Sequence, residues 1–206
     1  MSFEKNYWSE VYSGRLIDGT FNAAKHADYI KSIFSLSEFR IRKIIDIGFG
    51  KGKLLEEVSK KLEPESLIAL DPSKLMVSSL LKKHWISKYN IAIVNKKLEE
   101  FNIDYLQKYP FDLAIANSVF QYIEDLEGQV KRLASIARFS YFSVPTDKDY
   151  VRMEEEFNFK DKYAFARSKK TYLDCISKYF TRISFNLLES KIVKEHSYFQ
   201  AELYRE

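Results

Sequence analysis

Ile44-Ile45-Asp46-Ile47-Gly48-Phe49-Gly50-Lys51-Gly52-Lys53 is the feature that most constrains this chain. A β-branched apolar run, Ile41 to Ile47, meets three glycines at every second position. A helical pattern follows from Lys51 to Leu62, with Leu54, Leu55, Val58 and Leu62 on one side. Such a junction is a strand, a tight turn and a helix. The glycines permit positive φ angles and let backbone amides approach a ligand. The helix start offers free N–H groups and a partial positive charge.

The same alternation continues along the middle of the chain. Strands are expected at Ser66 to Leu70, Ile91 to Val94, Phe111 to Ala116 and Phe139 to Val144. Helices are expected at Phe21 to Phe34, Ser73 to Trp85 and Ile123 to Ala137. In the second of these, Leu75, Met76, Leu80 and Leu81 repeat. Near-continuous apolar strands separated by helices predict a parallel sheet covered on both faces, wound doubly by right-handed crossovers. Thr171 to Phe180 reads as a helix with Leu173 and Ile176 inward. Thr181 to Leu188 and Ser197 to Tyr204 alternate, predicting two antiparallel closing strands. The fold class is therefore α/β, Rossmann-like, with a mostly parallel seven-stranded sheet and an antiparallel C-terminal edge.

No repeat, linker or low-complexity tract divides the 206 residues, so one domain is expected. Its parts are an N-terminal helical cap (1–40), a ligand-binding core (41–144), a polar and aromatic segment (147–170) and a closing helix with strands (171–206). Cys175 is the single cysteine, which excludes an intrachain disulfide and suits a reducing compartment. No apolar run reaches the roughly 20 residues that span a bilayer. Met1 to Tyr12 carries Glu4, Lys5 and Glu10, so no secretory leader is expected and a cytoplasmic location is the default. The net charge of +4 is a weak argument for nucleic acid.

Two ligand classes fit the turn. Dinucleotide binders carry Gly-x-Gly-x-x-Gly with a pyrophosphate on the helix start. Here Gly48 and Gly50 fit, but Lys53 stands at the third position and the third glycine comes early, at Gly52. Asp46 at the strand end would repel a pyrophosphate and attract an ammonium group. S-adenosylmethionine carries both an amino group and a sulfonium, so charge and spacing favour it over NAD. Leu67-Ile68-Ala69-Leu70-Asp71 places a second carboxylate nineteen residues beyond Gly52, where it can accept from ribose hydroxyls.

Asp46-x-Gly48-x-Gly50-x-Gly52, followed by Asp71-Pro72-Ser73, resembles the class I S-adenosylmethionine-dependent methyltransferases. Phe111 to Tyr122 resembles their fourth strand and the turn after it, and Tyr7 to Tyr12 the lead-in of small-molecule members. The resemblance covers residues 41–144. It implies that Gly48, Phe49, Gly50 and Gly52 pass beneath the methionine part of S-adenosylmethionine. It implies that Asp46 anchors the amino end, Asp71 the ribose, Pro72 and Met76 the adenine, and Asn117 the methionine moiety. Where the family often offers an acid to adenine this chain has Lys96 and Lys97, so the Leu98 backbone takes that place. S-adenosylhomocysteine would be the product.

The acceptor is less constrained. Asn117-Ser118-Val119-Phe120 lacks the Asn/Asp-Pro-Pro-Tyr/Phe element of methyltransferases acting on adenine or glutamine, so a small-molecule acceptor is expected and nucleic acid is not. The aromatic 147–170 segment is the expected acceptor lid, unless its aromatics serve only to pack it on the sheet. Glu154, Glu155 and Glu156 read as a solvated helix face. Asp112 reads as a cap or solvated start of the fourth strand. His84 and His196 read as surface residues. His26 and Tyr12 remain the candidates for a catalytic base, and no metal set is visible. An NAD-dependent oxidoreductase, a non-catalytic activator subunit and an RNA methyltransferase are the alternatives.

Overall fold

The computed structural model describes residues 22–36, 39–102 and 110–194. The fold is α/β, with seven strands in a mixed, mostly parallel sheet flanked by helices. It divides into two compact units, 1–101 and 102–206.

In the first unit, helix α1 (Ala23–Ser35) precedes strand β1 (Lys43–Ile47). Helix α2 (Lys53–Leu62), strand β2 (Ser66–Leu70), helix α3 (Lys74–Leu81) and strand β3 (Ile91–Val94) follow. The three strands are parallel in the order β3-β2-β1, with Asp46 opposite Ala69 and Leu70 opposite Val94. Ile44, Ile45, Leu55, Val58, Leu67 and Leu70 form the core between sheet and helices. Ala23, Ala27, Ile30 and Phe34 seat α1 against α2, and Lys61 of α2 pairs with Asp28 of α1. Only Met76 and Leu80 of α3 are buried. Leu75 and Leu81 face outward, and the helix ends earlier than its spacing predicts, with a separate 3-10 turn at His84–Lys88.

In the second unit, strand β4 (Phe111–Asn117) leads to helix α4 (Leu126–Ile136) and the parallel strand β5 (Ala137–Ser143). Asp112 is buried inside β4, not solvated as expected, because this strand is covered along six of its seven residues. Helix α5 (Asp147–Phe157) opens the segment 147–170 and helix α6 (Lys169–Tyr179) begins at its end. Burial on α6 falls on Tyr172, Cys175 and Ile176, while Leu173 is 40% exposed, so the helix is rotated from the predicted phase.

Strands β6 (Phe180–Arg182) and β7 (Leu187–Ser190) pair antiparallel, and β7 also pairs antiparallel with β5. The alternating stretch 181–188 is thus a hairpin and not one strand. Among the described residues the antiparallel edge runs over 180–190, and the expected strand at 197–204 lies outside them. A short helix, α7 (Lys191–Lys194), follows. Among the described residues no helix is long and apolar enough to cross a membrane.

Candidate functional site

The turn after β1 takes its shape from its glycines. Gly48, Gly50 and Gly52 have φ of 67°, 55° and 71°, the left-handed region that side chains resist. The Gly48 N–H donates to the Leu70 carbonyl at 2.6 Å and the Gly52 N–H to the Phe49 carbonyl at 2.8 Å. Gly52 is the residue before α2, and a Cβ there would lie 2.5 Å from Leu80 Cδ1. The third glycine therefore stands where α3 presses on the start of α2, which accounts for its departure from the dinucleotide spacing. A Cβ on Gly50, by contrast, would meet nothing within 4 Å. The turn is open at that point, as a ligand lying along the backbone requires. The Phe49 side chain is buried.

Asp71, at the end of β2, holds the turn from the other side. Its Oδ2 accepts from the Gly50 N–H at 2.9 Å and its Oδ1 from the Ser73 N–H at 2.8 Å. Its own carbonyl accepts from Asn95 Nδ2 at 2.9 Å, which ties the loop after β3 to the same point. Asn95 is a residue that sequence reasoning passed over; an amide in the loop after a predicted strand was the available signal. Two oxygens with about four lone-pair directions leave capacity for ribose hydroxyls. Burial raises the Asp71 pKa to about 6 against the opposing pull of the Ser73 and Gly50 N–H bonds.

Asp46 is more isolated. It is 3% exposed and receives no hydrogen bond from any described residue. Burial first, and the negative charge of Asp71 second, push its pKa up to about 8. A carboxylate buried without a donor or cation is costly by several kcal/mol when ionised. A ligand ammonium would remove that cost. The residues present thus fit a cationic amino acid–nucleoside better than a dianionic pyrophosphate.

The other expected residues of this unit take the following places. Pro72 is exposed at the lip. Met76 is buried in the first turn of α3, its N–H donating to the Ser73 hydroxyl at 3.4 Å. Leu98 is buried in a 3-10 turn, Leu98–Glu100. His26 is half-buried on α1, where burial lowers its pKa. His84 is exposed. Tyr12 and His196 lie outside the described residues. No cluster of three or more potential metal ligands occurs among the described residues.

In the second unit, Asn117 is the last residue of β4, and Ser118 follows with φ of 56°. The Ser118 N–H donates to the Ser143 carbonyl at 2.7 Å. Gln121, also missed in the sequence, is buried, and its Nε2 donates to the Ser118 carbonyl at 2.9 Å.

The segment 147–170 is fastened to this turn. Arg167 Nη1 donates to the Phe120 carbonyl at 3.3 Å, and Nη2 to those of Ile123 and Glu124 at 2.7 and 2.9 Å. Tyr122 OH donates to Asp161 Oδ2 at 2.7 Å, and the Phe165 N–H to the Gln121 carbonyl at 2.8 Å. The Asp147 N–H donates to the Arg167 carbonyl at 2.9 Å, so both ends of the segment are pinned together. Of its aromatics only Phe159 is fully buried; Phe157 is 46% exposed, and α5 buries no residue completely. Glu154, Glu155 and Glu156 are exposed, as their run predicts.

Residues 45–138 match the family model for a methyltransferase domain. A malonyl-[acyl-carrier protein] O-methyltransferase of Halalkalibacterium halodurans is 27% identical over 143 residues, covering 66% of this chain and 51% of that protein. The chain thus spans about half the length of that curated relative. An S-adenosylmethionine-dependent methyltransferase structure from Clostridium acetobutylicum shares the fold with a TM-score of 0.71 at 14% identity, covering 90% of this chain and 98% of that one. The N-methyltransferase NodS of Bradyrhizobium japonicum, solved with S-adenosylhomocysteine, gives 0.67 at 13% identity over 91% and 96%. Residues 45–138, which carry the glycine turn and both carboxylates, are thus similar to a methyltransferase domain, and the chain shares its fold with solved S-adenosylmethionine-dependent methyltransferases.

Proposed function

We propose that this protein binds S-adenosylmethionine and transfers its methyl group to a small-molecule acceptor, releasing S-adenosylhomocysteine. The observation that carries this reading is Asp46, a buried carboxylate without a donor, set beside an open glycine turn. Asp46 neutralises the ligand's ammonium, directly or through water. Gly48, Phe49, Gly50 and Gly52 offer backbone to the methionine part. Asp71 accepts from the ribose, and Pro72, Met76 and Leu98 border the adenine. That structures sharing the fold were solved with S-adenosylhomocysteine supports the choice of ligand.

The cofactor supplies a methyl group on a sulfonium, already a good leaving group. The protein's part is then alignment of the acceptor lone pair with the breaking bond and exclusion of water. The segment 147–170, held by Arg167 and by Tyr122–Asp161, is the acceptor lid. A general base is needed only for an acceptor that must lose a proton. Burial lowers the pKa of His26 on α1, the candidate base among the described residues. Tyr12 lies outside the described residues.

The test is transfer of label from methyl-labelled S-adenosylmethionine across a panel of small carboxylates, amines and phenols. Label in product, abolished by Asp46→Ala and Asp71→Ala, is expected. Stabilisation of the protein by NADH and not by S-adenosylhomocysteine would contradict it.

A further inference from the structure

The net positive charge of this chain comes from one stretch of the first unit, residues 72–98. Between Pro72 and Leu98 the sequence has six lysines (Lys74, Lys82, Lys83, Lys88, Lys96 and Lys97) and no Asp or Glu. The remaining sequence, with 27 basic residues against 29 acidic ones, is net −2. Lys74, Lys82, Lys83, Lys88 and Lys96 are exposed and make no ion pair among the described residues. Several lysines elsewhere are paired: Lys53 and Lys60 with Glu56 and Glu57, Lys170 with Asp174, Lys178 with Glu127.

The lysines follow α3 and β3, which pack together at the edge of the sheet. Lys74 and Lys96 lie at the carboxyl ends of β2 and β3, beside Asp71. Lys82, Lys83 and Lys88 lie one helix length away, about 12 Å for eight residues. At physiological salt, with a Debye length of about 8 Å, the two groups are largely screened from each other, so the adjacent pair Lys82 and Lys83 gives the strongest local field. Leu81, 62% exposed and next to Lys82 and Lys83, adds an apolar contact inside the charged rim. A one-signed charged rim of this kind steers an oppositely charged protein partner to it.

We infer that this lysine edge docks an acidic carrier protein that delivers the methyl acceptor on a flexible arm, an inference that rests on the methyltransferase reading above. A nucleic acid fits less well. The edge has no arginine to fork onto phosphates, and its aromatics, Trp85 and Tyr89, are buried and half-buried and cannot stack on bases. A lipid surface fits less well too, because α3 has only eight residues and its exposed leucines, 75 and 81, lie on different sides. That curated relatives act on a malonyl-[acyl-carrier protein] agrees with this choice.

The test uses the full chain with three labelled probes: malonyl-loaded acyl carrier protein, an RNA hairpin and vesicles of anionic lipid. The carrier should bind most tightly, and about tenfold more weakly when salt is raised from about 50 to about 300 mM. The triple variant Lys82→Glu, Lys83→Glu, Lys88→Glu should weaken carrier binding at least about tenfold and raise KM, not lower kcat, for a carrier-bound acceptor. Its melting point and its affinity for S-adenosylhomocysteine should match the wild type. No carrier binding, equal binding by the variant, or tighter binding of RNA or vesicles overturns the docking inference. Absence of S-adenosylhomocysteine uptake by the wild type instead overturns the methyltransferase reading, whatever the carrier does.

Discussion

Three glycines occupy the same backbone region for different reasons, and their substitutions should separate accordingly. Gly52→Ala adds a methyl group against buried Leu80 at a φ of 71°. Overpacking and backbone strain together should cost about 2–3 kcal/mol, read by urea denaturation. Gly50→Ala meets open space and suffers only its φ, so about 1 kcal/mol is expected. Its larger effect should be on cofactor affinity, because the added methyl group stands where the backbone faces the ligand. Both roles were half-visible in the sequence. The pattern Asp46 to Gly52 announced a turn with a carboxylate, since residue type alone carries that message. Which glycine serves packing and which serves the ligand depends on Leu80, 28 residues away, and only the fold brings it there.

At the level of elements, Arg167 makes the largest share of the bonds that fasten segment 147–170, the proposed acceptor lid. Arg167 reaches three carbonyls of the turn after β4, and its own carbonyl receives the start of α5. Arg167→Ala should cost about 1–3 kcal/mol and speed proteolysis within 147–167. Arg167→Lys should restore little, because an ammonium cannot spread donors over three acceptors. Tyr122→Phe should cost about 1 kcal/mol through the bond to Asp161. The alternation of strands and helices from 43 to 143 was legible because each element buries its own local pattern. This latch was not, since its partners lie more than forty residues apart. The C-terminal hairpin was missed for a related reason: alternation over 181–188 does not reveal the turn inside it, where Phe185 is 87% exposed.

For the molecule as a whole, two buried carboxylates make stability and ligand affinity respond oppositely to pH. The folded-state pKa values of Asp46 and Asp71, about 8 and about 6, lie above the ordinary 3.8. The native state therefore holds more protons than the unfolded chain between those values, and stability contributed below pH 4 is lost as pH rises through 6 and 8. The melting point of the ligand-free protein should fall over that window, and Asp46→Asn should flatten the fall. The cationic ligand needs Asp46 ionised, so its affinity should climb over the same window. Thermal melts with and without S-adenosylhomocysteine at about pH 6 and about pH 8 check both signs.

A buried carboxyl that ionises to meet a positive ligand is addressed directly by titration calorimetry with S-adenosylmethionine. One site per chain is expected at pH 8, weakened at least about tenfold by Asp46→Ala or Asp71→Ala in protein that still melts cooperatively. No heat of binding to folded wild-type protein, or equal affinity in both variants, would contradict it.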